Sequence, residues 1–303
     1  MVVPEDLGMC YPDDYYTHSP DPGTNQDTEG SKLVVRRNGF RAQLRESVVA
    51  SIQGKSPNGL TGIIGRIISK SRSIRERAFY GVLLDELLPP HSDRPRALEI
   101  GCGSGALLAN LSSVGWDAMG MEWDAKAARV AEKNSGCNVV VGDAKNLEFG
   151  PESFDLVVLH HVFEHLPDPI GTLKAVKTIL APAGEVVLIY PNPNSLGAKV
   201  FDRDWFPWDP PRHLSFAPFQ AMHAASRDLG FAFSARTTSR MAEYCSAKSR
   251  RYRSGHMDDG YETSFDRWDF LFKRIEGALV YTGFQVGEEI LVVLRKSNPS
   301  MCD

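Results

Sequence analysis

The 303-residue sequence contains no apolar run approaching the roughly 18 residues that a bilayer-spanning helix needs. No signal-type apolar segment opens it, so a soluble cytoplasmic chain is expected. Cysteine is scarce. Cys10, Cys102, Cys137, Cys245 and Cys302 are odd in number and without C-x-x-C spacing, which argues against a disulfide framework or a zinc knuckle. Positive charge is also lacking overall: the net charge is −4 and the pI is near 6.1, unlike a dedicated nucleic-acid binder. What is present is apolar bulk, 42% of residues, enough for a sizeable core.

Charge is unevenly distributed. Residues 1–30 hold seven acids and no Lys or Arg, whereas residues 31–77 hold eleven basic residues against Glu46 and Glu76. The first 30 residues have no apolar periodicity and read as an irregular leader, although Tyr11, Tyr15 and Tyr16 are docking candidates. Leu60, Ile63, Ile64, Ile67 and Ile68, then Ile74, Ala78, Val82 and Leu83, recur at helical spacing with Arg66, Lys70, Arg72 and Arg75 among them. Such a basic amphipathic segment suits a membrane surface or a helical cap, with peripheral membrane contact open through 60–77. The cap is preferred, because the segment runs directly into the next part of the chain.

From about residue 95, strand-like runs at 97–100, 118–121, 139–141, 154–159 and 185–190 alternate with helical patterns at 106–114, 125–134 and 170–180. A helix over 218–229 and strands near 231–237 and 289–294 follow. This rhythm predicts an α/β, Rossmann-like, doubly wound and mostly parallel seven-stranded sheet. The expected parts are a leader (1–30), a basic helical cap (31–92), a core (93–297) and a tail (298–303). The core carries a loop at 191–216 and a polar insertion at 241–287 before the last strand.

The run ALEIGCGSG, residues 97–105, ends a strand, turns on Gly101, Gly103 and Gly105 and starts a helix. Glycine permits the sharp turn and a close ligand approach. Dinucleotide enzymes also place glycines here, but the third glycine comes one residue early for their G-x-G-x-x-G, and Glu99 precedes the first. Glu122 ends the second strand, about twenty residues on, where an acid binds ribose hydroxyls in this fold class. Asp143 follows the third strand.

These segments, with FDLVVLHHVFEHLPDP, YPNPNSLGA, DPPRHLSF and the opening YPDDYYTH, resemble the class I S-adenosylmethionine-dependent methyltransferases, more narrowly their type 23 branch. The resemblance covers about residues 95–235 and implies S-adenosylmethionine as cofactor. It places Glu99 near the cofactor's amino group, with Gly101 and Gly103 under its methionine part and Cys102 and Gly105 in the same turn. It puts Glu122 on the ribose, Trp123 on the adenine face, and Asp143 and the Ala144 backbone at the adenine edge. His160 is counted with the cofactor-binding residues, and His161 and His165 are expected to be mainly structural, facing the cofactor's reactive end. The usual Gly-Gly turn before the fifth strand reads Pro182-Ala183-Gly184 here.

His161-Val162-Phe163-Glu164-His165 matches H-x-x-E-H, an inverted zinc-protease pattern that requires a helix. Here it leaves a strand, so protease chemistry is not expected. Some methyltransferases of this fold hold a divalent ion with E-x-x-E-H. His161 stands where their first Glu would be, so no metal is expected, with Glu164 and His165 as the alternative ligands. A general base suits methyl transfer to a hydroxyl, and His160, His161 and His213 are candidates. Trp205, Phe206 and Trp208 read as an apolar lid or as a packing loop, the lid being preferred. The acceptor class expected is a small molecule, a lipid-linked intermediate or a sugar, at oxygen. A nucleic-acid or protein methyltransferase and a non-catalytic binding protein are the competing readings.

Overall fold

Strands form at all seven predicted places: β1 (Arg96–Ile100), β2 (Asp117–Glu122), β3 (Asn138–Val141), β4 (Phe154–His160), β5 (Leu180–Pro191), β6 (Phe231–Thr238) and β7 (Glu289–Lys296). Their order is β3-β2-β1-β4-β5-β7-β6. β1 pairs parallel with β2, β2 with β3, and β4 with β5, while β7 runs antiparallel between β5 and β6. The computed structural model describes residues 40–78, 84–89, 94–255 and 264–296. The expected leader with its tyrosines, Val82 and Leu83 of the cap, and the tail lie outside them.

The described residues fall into two compact units, one up to Gly142 and one from Asp143. The described part of the first unit holds three helices before β1, α1 (Phe40–Ile52), α2 (Gly59–Ile68) and α3 (Arg72–Ala78), and a 3₁₀ turn at Asp85–Leu87. Helix α1 had no counterpart in the periodicity. Leu60, Ile63 and Ile67 of α2 are exposed, and its buried residues are Gly62 and Gly65. Helices α4 (Ala106–Val114) and α5 (Ala125–Ser135) follow β1 and β2. Gly115, in the left-handed conformation, ends α4, and the Asp124 carboxylate caps α5 by accepting from Lys126 N and Ala127 N. Leu98, Leu108, Leu111 and Ala131 form the interior, and Trp116 Nε1 donates to Leu87 O at 2.8 Å.

In the second unit β4, β5 and β7 are apolar on both faces, as strands covered on both sides must be. Register along β4 and β5 jumps from Phe154↔Leu180 to Leu156↔Glu185, so the variant Pro182-Ala183-Gly184 segment is taken up as a bulge. Helix α6 (Pro169–Ile179) starts on the Asp168 cap with Pro169 at its first position, and α7 (Leu196–Phe201) starts on Ser195. Helix α8 (Phe219–Asp228) precedes β6. The polar insertion folds as α9 (Ala242–Arg253) and α10 (Arg267–Tyr281), the latter opened by an Asp266/Asp269 capping box.

Candidate functional site

In the first unit the glycine turn is built by backbone geometry that side chains resist. Gly101, Gly103 and Gly105 take φ of +68°, +51° and +79°. A Cβ on Gly105 would come within 2.6 Å of Ala131 O. Gly101 N and Cys102 N both donate to Met121 O, tying the turn to the end of β2. There Glu122, buried, accepts from Gly103 N at 2.9 Å through Oε2 and from Trp123 N at 3.0 Å through Oε1. Glu99 is buried too, and its Oε2 has no hydrogen-bond partner. Burial first, and then the charge of Glu122, push the Glu99 carboxyl well above its usual range, and burial raises Glu122. Burial also pushes the Cys102 thiol up, so it stays protonated. Trp123 presents half of its surface to solvent directly after Glu122.

Asp143 and Ala144 begin the second unit immediately after Gly142, whose N–H donates to Glu122 O. Asp143 is exposed, and its carboxylate accepts from Lys145 N.

The histidine segment leaves β4 without forming an α-helix. His161 sits at φ +53°, and a 3₁₀ turn covers Phe163–His165, so the inverted-protease geometry is absent from it. His161 is gripped from both sides, Nδ1 by Glu164 Oε1 at 3.2 Å and Nε2 by Glu289 Oε1 at 2.8 Å. Burial works against its charge, but the hydrogen bonds to Glu164 and Glu289 outweigh it and raise the imidazole to about 10. Both nitrogens then donate, which leaves His161 no lone pair for the base role considered for it.

His160 Nε2 faces Arg240 Nη2 at 2.7 Å. Arginine can only donate, so Nε2 accepts, and His160 is held neutral by burial and by Arg240. Arg240 and Thr238 Oγ1 also bind Glu289, which stays ionised against its burial.

Loop residues 205–216 reach the same strand end. Leu214 N and Ser215 N donate to Glu164 O. His165 Nδ1 lies 3.1 Å from Arg212 O and His213 Nδ1 lies 2.7 Å from Pro207 O, and the two rings meet edge-on at 4.5 Å. Since a carbonyl only accepts, both Nδ1 atoms carry the hydrogen. Burial lowers His165 to about 4. Glu164, His165 and His213 each place a ligand atom within 4.8 Å of the others, as do His160, His161 and Glu289. The first trio includes the Glu164–His165 pair named as alternative metal ligands, and it has the composition to hold a divalent ion. In the second, Arg240 already bonds His160 and Glu289.

The aromatic loop is packed inward. Trp205 is buried with Ala198, Phe201, Ala242 and Phe272, and its Nε1 donates to Glu288 Oε2 at 2.8 Å. Trp208 packs edge-on against Trp205 and Phe216, and Phe206 against Tyr244 and Tyr252. The sequence did not single out Arg240, Glu276, Glu288 or Glu289, which lie far along the chain from the histidine motif.

The profile of the type 23 methyltransferase domain matches residues 72–234, more than half of the chain. The chain belongs to this family. Ubiquinone biosynthesis O-methyltransferase of Ralstonia nicotianae is 32% identical over 97 residues, which are 30% of this chain and 41% of that protein. The protein of the same name from Cereibacter sphaeroides is 31% identical over 117 residues, 36% of this chain and 47% of that protein. The chain thus matches less than half the length of these curated relatives. A solved SAM-dependent methyltransferase from Archaeoglobus fulgidus shares the fold, with a TM-score of 0.50 at 18% identity over 78% of this chain and 100% of that one.

S-adenosylmethionine is the cofactor of such methyltransferase domains. The acid-lined turn fits it: an unpartnered buried carboxylate oxygen on Glu99 suits a cationic amino group. Among the described residues no helix is long and apolar enough to cross a membrane.

Proposed function

We propose that this methyltransferase transfers a methyl group to a hydroxyl oxygen of a small-molecule, lipid-linked or sugar acceptor. The observation that carries the reading is the histidine arrangement of the second unit. His213 has its Nδ1 hydrogen committed to Pro207 O, and its Nε2, 3.8 Å from Asp209 Oδ2, is the nitrogen left for proton transfer. That the two curated relatives are O-methyltransferases supports oxygen as the methylated atom.

In this reading Glu99 holds the cofactor's amino group, and Gly101, Cys102, Gly103 and Gly105 give the methionine part a backbone floor. Glu122 binds the ribose hydroxyls, Trp123 lies on the adenine face, and Asp143 and Ala144 read its edge. When bound, S-adenosylmethionine supplies a methyl on a sulfonium, open to in-line displacement. The protein's part is to orient the acceptor, exclude water and remove its proton. His213 Nε2 is the proton acceptor. His161, locked as a cation between Glu164 and Glu289, and His160, held neutral by Arg240, are positioning residues for that strand end.

Calorimetric titration with S-adenosylmethionine and with its demethylated product tests the cofactor half, and both should bind saturably and fail in Glu122→Ala. Incubation with labelled cofactor and a panel of catechols, quinols, polyprenyl phenols and sugars tests the acceptor half. Label appearing only on nitrogen or carbon would overturn the oxygen assignment.

A further inference from the structure

Helix α2 is built inside out for a water-soluble surface helix. Its packed face is glycine: a Cβ on Gly62 would come within 2.1 Å of Pro57 O, and one on Gly65 within 2.6 Å of Ser47 Cβ in α1. Ile64 and Ile68 are half-buried beside the glycines, and the other large aliphatic residues point outward. Leu60, Ile63 and Ile67, spaced i, i+3 and i+7 along one stripe, are 70%, 51% and 63% exposed, and Phe40 of α1 is 56% exposed. A surface helix ordinarily turns such a stripe toward its core and leaves the opposite face polar.

The stripe lies in a basic setting. Between residues 40 and 72 the chain has six basic residues, Arg41, Arg45, Lys55, Arg66, Lys70 and Arg72, and the single acid Glu46. Lys55, Arg66, Lys70 and Arg72 are exposed. Arg72 also pairs with Glu86, and Lys55 donates to Gln53 Oε1.

We propose that α2 is an interfacial anchor that lies on an anionic lipid surface. Leu60, Ile63 and Ile67 enter the boundary between headgroups and acyl chains, and Lys55, Arg66 and Lys70 meet the headgroup phosphates. Exposed aliphatics on one stripe with basic residues around them are the physical requirements for such binding. Charge decides between occupants: a second copy of the chain would bring the same basic face and repel, whereas an anionic bilayer complements both the charge and the apolar stripe. The proposal rests on α1 and α2 alone and is independent of the acceptor chemistry.

The test is flotation of the full chain with vesicles of phosphatidylcholine and with vesicles containing phosphatidylglycerol as well. Binding is expected only to the anionic vesicles and should weaken as salt is raised. The double variant Ile63→Ser, Ile67→Ser should lose roughly tenfold or more of the partitioning, and Arg66→Glu with Lys70→Glu should lose it as well. Both pairs alter exposed side chains, so an unchanged melting temperature certifies the fold. Three results would overturn the proposal: no flotation with anionic vesicles, flotation insensitive to the serine pair, or light scattering that shows a dimer dissolved by the serine pair.

Discussion

At the scale of single residues, what distinguishes the histidines is what each ring nitrogen faces. His213 donates from Nδ1 to Pro207 O and keeps Nε2 for a proton. Replacing it with alanine should lower kcat by about 10²–10⁴, the usual worth of a positioned base, while cofactor affinity measured by calorimetry stays as it was. A variant with full turnover would remove His213 from the chemistry. His161 behaves as a fixed cation instead. Its folded-state value is raised from the usual 6.5 to about 10 by Glu164 and Glu289. The pair's contribution is therefore complete below about pH 6.5 and is lost as pH rises toward 10. His161→Ala should cost about 1–3 kcal/mol of unfolding free energy at pH 6, less than a fully enclosed pair because its side chain is 32% exposed. The difference from wild type should shrink by pH 10, and one that stays constant across that range would disprove the ion-pair account. The motif HHVFEH drew attention to these histidines in the sequence. Which of them was locked could not be read there, because the deciding partner, Glu289, lies 128 positions from His161.

At the scale of elements, legibility follows how completely a segment's apolar pattern is used. β1 and β2 show in the sequence because consecutive residues are buried on both faces, and α4 and α5 because each buries one apolar stripe. α1 does not, since among its described side chains the buried ones are Ser47 and Val48 while Phe40 faces solvent. The junction of α10 and β7 is a second case. Glu276 and Glu288 look like surface acids in a polar stretch, yet the return of β7 between β5 and β6 buries both. Glu276 Oε1 accepts from Glu288 N, and Glu288 Oε2 accepts from Trp205 Nε1 and Ser195 Oγ, so this pair fastens the aromatic loop to the last strand. Burial, and each other's charge, raise Glu276 to about 10 and burial raises Glu288 to about 7. A carboxyl raised in the folded state is most favourable below its unfolded value near 4.5, and that advantage is lost as pH climbs through the folded values. Glu276→Gln removes the charge but keeps the shape and the acceptor for Glu288 N. It should raise unfolding free energy by about 1–2 kcal/mol at pH 8 and leave it nearly unchanged at pH 5. Equal effects at both pH values, measured by urea denaturation, would rule out the raised Glu276 carboxyl as the reason.

At the scale of the whole molecule, a ligand that binds only the folded chain adds to its stability according to its own saturation. At a hundredfold excess over its dissociation constant, S-adenosylmethionine should contribute about 2.7 kcal/mol and raise the melting midpoint by roughly 5–10 °C. The charge state of the glycine turn gives this linkage a direction. Burial and then the nearby Glu122 charge push the Glu99 carboxyl well above its usual range, and a bound ammonium group beside it would favour the ionised form. Binding should then release a proton, and affinity should increase as pH rises toward the folded-state value of Glu99. Titrations in buffers of different ionisation enthalpy measure that proton directly. Glu99→Gln should abolish the release and flatten the pH dependence while the fold persists, since the Oε2 it modifies has no partner within the protein. Proton release that survives in Glu99→Gln would assign the titrating group elsewhere and detach Glu99 from the cofactor's amino group. A melting midpoint unmoved at saturating ligand would remove the glycine turn as the cofactor's seat altogether.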